Sequence, residues 1–204
     1  SDRHAIANGT TFTQFSPLEV VTCDNECDGC DGGMAGSTWE FVQENGLVTS
    51  ECLPYNEAAG GPIPTCPPQK QPCLTFVNTP PCKQTCNGNH AAWNPTQLVK
   101  SVYSVGGEDQ YMSEMSSKGP FEVCFSVYSD FVHYKSGVYQ RSPSATYLGG
   151  HCVKAIGYGT LSGTPYWLIQ NSWTTTWGDK GYFMILRGPN ECGIQDSGVA
   201  GDVQ

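Results

Sequence analysis

The sequence has 204 residues, enough for one large domain or two lobes with a sizeable buried core. Asp and Glu outnumber Lys and Arg 19 to 10, for a net charge of -9. That balance argues against nucleic acid or an anionic membrane as partner, since both want a basic face. No run approaches the roughly 18 apolar residues of a transmembrane helix, and the polar first ten residues are no signal peptide, so the sequence reads as a mature or truncated form.

In chain order, Ser16-Pro17-Leu18-Glu19 reads as a helix start, with a serine cap, proline at the first position and glutamate three residues after the cap. A second helix is expected over about residues 34–44, with Ala35, Trp39 and Val42 on one stripe and Gly46 as its stop. Residues 54–95 are dense in Pro, Gly, Asn and Cys, which implies an irregular insertion. A third, short helix fits residues 108–117 and ends before Gly119-Pro120. Strands follow: Phe121, Val123, Phe125 and Val127 alternate with Glu122, Cys124, Ser126 and Tyr128, and four more β-type runs span 137–141, 152–157, 166–171 and 182–187. The plan is a helical, cysteine-rich first half and a twisted antiparallel second half.

Eleven cysteines are too many for a cytosolic chain of this length. Cys27-x-x-Cys30 has a zinc-ligand spacing, but no second such pair follows, and the Pro/Gly-rich surroundings suit disulfide-stapled loops in an oxidising compartment. The odd count leaves at least one thiol free, or bonded outside this sequence.

The chemistry concentrates in two segments, Gly150-His151 and Gln170-Asn171-Ser172-Trp173-Thr174-Thr175-Thr176-Trp177-Gly178. A polar Asn after Trp167-Leu168-Ile169 is costly unless its amide is satisfied. On neighbouring strands Asn171 can accept the N–H of His151 and fix its tautomer, with Trp173 covering the bond from water. Taken singly, each is as readily a satisfied core polar residue.

The combination is more specific. "GGHCVKAIGYG", "GTPYWLIQNSWTTTWGDKGYFMILRG" and "NECGIQDSGVAG" resemble the His strand, Asn strand and C-terminal segment of papain-like cysteine peptidases. "FSVYSDFVHYKSGVYQ", "GCDGG" and the cysteine-rich stretch 66–86 are similar to the cathepsin B group within them, and the likeness covers essentially the whole sequence. The resemblance implies an α+β, two-lobed fold: a helical, disulfide-rich lobe over residues 1–100, with a shortened occluding-loop-like insertion at 54–95, and a β-barrel-like lobe over 101–204. It implies His151 as general acid/base, Asn171 as its orienter, Trp173 as a shield, and Trp177 as a ring bordering the leaving-group side. Gly32, Gly33, Met34 and Ala35 resemble the edge along which an extended substrate lies, while Cys124, Gly150, Cys152 and Ser197 fall at further substrate-binding positions. Cys124 and Cys152 read either as small hydrophobes or as a disulfide, which geometry must decide.

The family's nucleophile stands in a C-G-[SA]-C-[WY] pattern about 130–150 residues before the histidine. No such pattern occurs here, and the first cysteine is Cys23, so the nucleophile is expected upstream of Ser1, on a light chain or missing segment. This chain alone is then expected to be inactive. The alternative is an inactive homologue that binds peptides or proteins.

The stretch matching the occluding loop, residues 66–73, contains Lys70 but no histidine, and His90 lacks the family context, so endopeptidase action is expected. Ser197, with Asp196 beside it, stands where the family has a pocket-floor acid, which disfavours arginine at the second substrate position. The resemblance further implies Cys52–Cys86, Cys66–Cys73 and Cys23–Cys82 disulfides. It implies peptide or protein substrates, a propeptide, inhibitors of the cystatin type, and a lysosome-like, digestive-vacuolar or secreted location. No metal or organic cofactor is expected. Asn8-Gly9-Thr10 is a glycosylation sequon.

Overall fold

The computed structural model describes residues 1–55, 78–87 and 92–204. The expectations for Lys70, His90 and a Cys66–Cys73 pair lie outside the described residues. The architecture is α+β as expected, with four described α-helices and a seven-stranded sheet. The chain divides into two compact units, Ser1–Val102 with Gly201–Gln204, and Tyr103–Ala200.

The first unit holds α1 (Asp2–Asn8), α2 (Pro17–Cys23) and α3 (Ala35–Asn45). Sequence reading misses α1 because its residues show no apolar stripe. Long-range polar contacts hold it instead: Arg3 donates from Nη1 to the Gly201 carbonyl at 2.9 Å, and Asn8 donates from Nδ2 to the Gln204 carbonyl at 2.8 Å. Asn8 Nδ2 also donates to the His4 carbonyl at 3.0 Å. A glycan at the sequon would replace one of the two amide hydrogens that make these bonds.

The α2 start behaves partly as expected. Ser16 Oγ accepts the Glu19 N–H at 3.2 Å and donates to the Leu53 carbonyl at 2.7 Å. Glu19 does not reach back to Ser16, however. Its Oε2 accepts the Val48 N–H at 2.8 Å, while the Ser16 N–H goes to the Val48 carbonyl at 2.9 Å. A buried carboxyl thus joins the helix to residue 48, and burial raises its pKa against the lowering effect of the Val48 hydrogen bond. Two small apolar clusters surround these contacts, one on Phe15, Leu47, Leu98 and Val99, the other on Leu18, Val48 and Leu53. Disulfides Cys23–Cys82 and Cys52–Cys86 tie residues 82 and 86 to this unit, the pairings the resemblance implied.

Strand β1 (Val99–Val105) opens the sheet. After it, α4 (Glu108–Lys118) packs through Tyr111, whose hydroxyl donates to the Ile194 carbonyl at 2.9 Å. Strand β2 (Phe121–Tyr128) shows the predicted alternation, with Phe121, Val123, Phe125 and Val127 buried. It is followed by β3 (Val138–Tyr139), β4 (Tyr147–Leu161), β5 (Thr164–Gln170), β6 (Tyr182–Leu186) and β7 (Gly198–Val203). The sheet order is β1-β7-β2-β4-β5-β6-β3. One pairing departs from the expected antiparallel plan. A 3₁₀ turn at Phe131–His133 and Gly137 at φ 83° bring β3 alongside β6 in parallel. The 152–157 run is also longer than expected: β4 and β5 form a hairpin closed by Ser162 and Gly163, both at positive φ (50° and 85°). The core of this unit is dominated by aromatic rings, with Phe121, Phe131, Trp167 and Phe183 each at most 2% exposed.

Candidate active site

Strand pairing and a loop bring the chemistry together in the second unit. His151 lies in β4 opposite Phe125 of β2, and its ring meets that phenylalanine at 6.1 Å between centroids. Asn171 immediately follows β5 and is pinned there, its N–H donating to the Gly181 carbonyl at 2.9 Å. His151 Nε2 and Asn171 Oδ1 lie 2.8 Å apart. The Ser172 N–H donates to the same Oδ1, also at 2.8 Å, which identifies that atom as the carbonyl oxygen. Because Oδ1 can only accept, Nε2 must carry the hydrogen, and in the neutral ring Nδ1 is left as the acceptor.

Trp173 stacks on the imidazole, with centroids 5.1 Å apart and planes inclined by 23°. Trp177 meets Trp173 edge to face at 5.1 Å, is 3% exposed, and donates from Nε1 to the Val132 carbonyl at 3.0 Å. The loop carrying both indoles takes unusual backbone conformations at Thr174 (φ 67°) and Lys180 (φ 55°). Positive φ in a β-branched residue is costly, and here the Thr174 hydroxyl contacts that of Thr176 at 2.8 Å. No sequence signal singles out this loop geometry.

Burial lowers the pKa of His151, and the Asn171 hydrogen bond opposes that shift. The folded chain therefore binds fewer protons than the unfolded one below the ordinary 6.5 of histidine. The resulting stability is present above that pH and is lost as pH falls through the folded-state value. In this chain, an NMR titration of the His151 ring should give a midpoint below 6.5, and Asn171→Ala should depress it further by removing the opposing bond. A midpoint above 6.5 in the parent chain would contradict burial as the controlling cause.

The cysteines sort clearly among the described residues. Cys124 and Cys152 are direct partners across β2 and β4 and form a disulfide, which corrects their reading as separate small hydrophobes. Glu122, Cys124 and Cys152 form a cluster of metal-ligand type with ligand atoms within 4.8 Å, but the S–S bond leaves no thiolate to bind a metal. Cys27, Cys30 and Cys192 are free thiols. Burial, followed by the Glu191 carboxylate, pushes Cys192 up to about 12, so it stays a thiol rather than an activated nucleophile. Cys27 lies in the first unit, where the Met34 N–H points at its Sγ at 3.4 Å.

The other expected positions are distributed as follows. In the first unit Gly32 (φ 122°) and Gly33 are exposed, Met34 caps α3 and is 69% exposed, and Ala35 begins the helix. A Cβ at Gly33 would come within 2.7 Å of Cys27 Sγ, so only glycine fits without displacement. In the second unit Gly150 is exposed next to His151, and Ser197 is exposed just before β7.

Residues 1–201 match the family described as "Papain family cysteine protease". The chain belongs to the papain family of cysteine proteases. It is of the cathepsin B-like kind: it is 46% identical to "Cathepsin B" of Dictyostelium discoideum over 98% of this chain and 62% of that protein. It is 40% identical to "Cathepsin B-like cysteine proteinase 5" of Caenorhabditis elegans, over 98% of this chain and 63% of that protein. The solved structure titled "proCathepsin B S9 from Trypanosoma congolense" matches with a TM-score of 0.86 and 37% identity, covering 100% of this chain and 65% of that one. A procathepsin L 3 from Tenebrio molitor larval midgut shares the fold, with a TM-score of 0.74 at 21% identity over 98% of this chain and 58% of that one. This papain-family chain thus spans less than two thirds of the length of these relatives. No described helix is long and apolar enough to cross a membrane.

Proposed function

We propose that this chain is the histidine- and asparagine-bearing part of a cathepsin B-like cysteine endopeptidase. The observation that carries the reading is the 2.8 Å His151–Asn171 contact with the amide orientation fixed by Ser172. It leaves Nδ1 as the nitrogen able to exchange a proton with a thiol, the arrangement a cysteine nucleophile requires. In this reading the nucleophilic cysteine comes from outside these 204 residues. Cys124 and Cys152 are consumed in a disulfide, and Cys192 is held as a thiol.

The mechanism then follows from the ring. A cysteine thiol gives its proton to His151 Nδ1, and the thiolate attacks the peptide carbonyl. The imidazolium, stabilised through Nε2–H and Asn171 Oδ1, returns that proton to the leaving amine. In the second step neutral His151 takes a proton from water, which hydrolyses the acyl-enzyme. Trp173, stacked on the ring, keeps the Asn171 bond out of water. Trp177 is too buried to offer much surface to a leaving group, so it backs Trp173 from behind.

The exposed Gly32–Gly33 backbone serves as the edge for an extended peptide, with Met34 and Ala35 beside it. Gly150, the Cys124–Cys152 bridge and Ser197 are further substrate-binding positions in this reading. With Ser197 in place of an acid, apolar or aromatic side chains are favoured at the second substrate position. The absence of histidine from residues 66–73 favours internal cleavage over removal of C-terminal dipeptides. The disulfides and the relatives' names fit a lysosome-like, digestive-vacuolar or secreted enzyme made with a propeptide, and inhibitors of the cystatin type are its natural partners.

The test is to treat the native protein with a peptidyl thiol-alkylating probe and measure intact masses. Labelling of a chain segment outside these 204 residues, together with peptide hydrolysis, supports the reading. A native protein of this chain alone that takes no label and cleaves nothing points instead to a peptide-binding homologue.

A further inference from the structure

We infer that the Cys124–Cys152 disulfide is a positioning device for His151, a covalent clamp that holds the ring on Asn171 and Trp173. The inference rests on the reading of His151 as the proton-transferring residue.

The geometry around the histidine is lopsided. On one side β4 pairs with β2 along residues 147–155, with Phe125 opposite His151 and Cys124 opposite Cys152. On the other side β5 pairs with β4 only from Lys154 onward. Among the described residues, His151 therefore sits in a stretch whose strand support comes from β2 alone. The residues just before it add little, since Tyr147 and Leu148 are 58% and 55% exposed and a Cβ at Gly149 or Gly150 would meet nothing within 4 Å. The ladder is also irregular there, with a register shift between Val127 and Tyr128. A one-sided, glycine-bearing strand end is where local opening is easiest.

The disulfide falls at the junction between this weakly held stretch and the two-sided part of β4. It fixes the residue next to His151 to β2, the strand paired with that stretch. Neighbouring residues of a strand face opposite ways, so the bridge leaves the imidazole free to meet Asn171 at 2.8 Å and Trp173 at 5.1 Å. The sulfurs do not act on substrate protons; they act through the ring's position. A displacement of about 1 Å in such a group costs on the order of a hundredfold in rate.

The experiment compares the complete enzyme with its Cys124→Ala/Cys152→Ala variant, rates being normalised to the titratable active thiol. The expected result is a fall of about tenfold or more in kcat, and a shifted or broadened His151 ring resonance. Cys23→Ser/Cys82→Ser, which removes a disulfide of the first unit, should leave kcat of the folded fraction unchanged. Unchanged kcat and an unchanged His151 resonance in the Cys124/Cys152 variant would overturn the clamp. Should that variant not fold, the parent enzyme is treated with a phosphine, which is oxidised to its oxide while the sulfurs take up two electrons and two protons. Activity lost in step with mass-trapped Cys124 and Cys152 thiols supports the clamp, and activity kept with both trapped overturns it. A failure of the underlying reading looks different, because His151→Ala would then itself retain activity.

Discussion

His151→Ala should reduce peptide hydrolysis by the complete enzyme about 10⁴-fold, with the folded state retained. The size of the effect follows from the double duty proposed for the ring. Without Nδ1 the thiol keeps its proton near neutral pH, and without the imidazolium the departing amine must leave as a poor, unprotonated group. Either loss alone is worth about 10²-fold to 10⁴-fold. Binding should persist, because the substitution leaves the proposed substrate edge at Gly32 and Gly33 untouched, so the loss should appear in kcat far more than in KM. The side chain is only half-buried, so a thermal melt of the variant should remain cooperative. The measurement is kcat and KM on a fluorogenic peptide, together with the rate of thiol alkylation. Activity within tenfold of the parent would remove His151 from the mechanism, and with it the assignment of Asn171 as its orienter.

Much of this site is legible in the sequence because it depends on residue type at short range. An Asn placed directly after an apolar strand demands a partner, and a histidine at the mouth of a neighbouring strand can supply it; the 2.8 Å contact is that pairing. Strand β2 is legible for a similar reason, since its alternation is uninterrupted over eight residues. What stays hidden depends on register or on distant partners. Cys124 and Cys152 are 28 residues apart, and only the alignment of β2 with β4 decides between the two readings of them. A shift of one residue would put the two sulfurs on opposite faces. Helix α1 is invisible because its anchors, the carbonyls of Gly201 and Gln204, lie at the far end of the chain. Glu19 shows the capping pattern, yet its carboxylate serves Val48, a contact that no local pattern announces. The parallel placement of β3 is hidden too, since two residues carry no direction signal of their own.

Phe131→Ala should be the most damaging single substitution in the second unit, destabilising it by about 3–5 kcal/mol. Phe131 is fully buried, and its ring meets six others at 4.8–6.4 Å: Phe125, Tyr134, Tyr139, Trp173, Trp177 and Phe183. Alanine would leave a cavity walled by rings that are themselves held by one another, so collapse into it is resisted and the cost stays near the upper end. At roughly 2–4 °C per kcal/mol for a chain of this size, the melting temperature should fall by about 10 °C. Function should suffer beyond the loss of folded protein. Phe125 and Trp173 are the two rings that contact His151, at 6.1 and 5.1 Å, and Phe131 packs directly on both. Loosening them frees the imidazole to leave Asn171, so kcat per folded molecule should drop while KM holds. Phe131→Leu fills most of the volume and should recover much of the stability, yet it cannot restore the edge-to-face contact with Trp173. A melting shift under about 2 °C for the alanine variant would mean that the ring cluster repacks freely. The support of His151 would then rest on its strand, its disulfide and Asn171 alone.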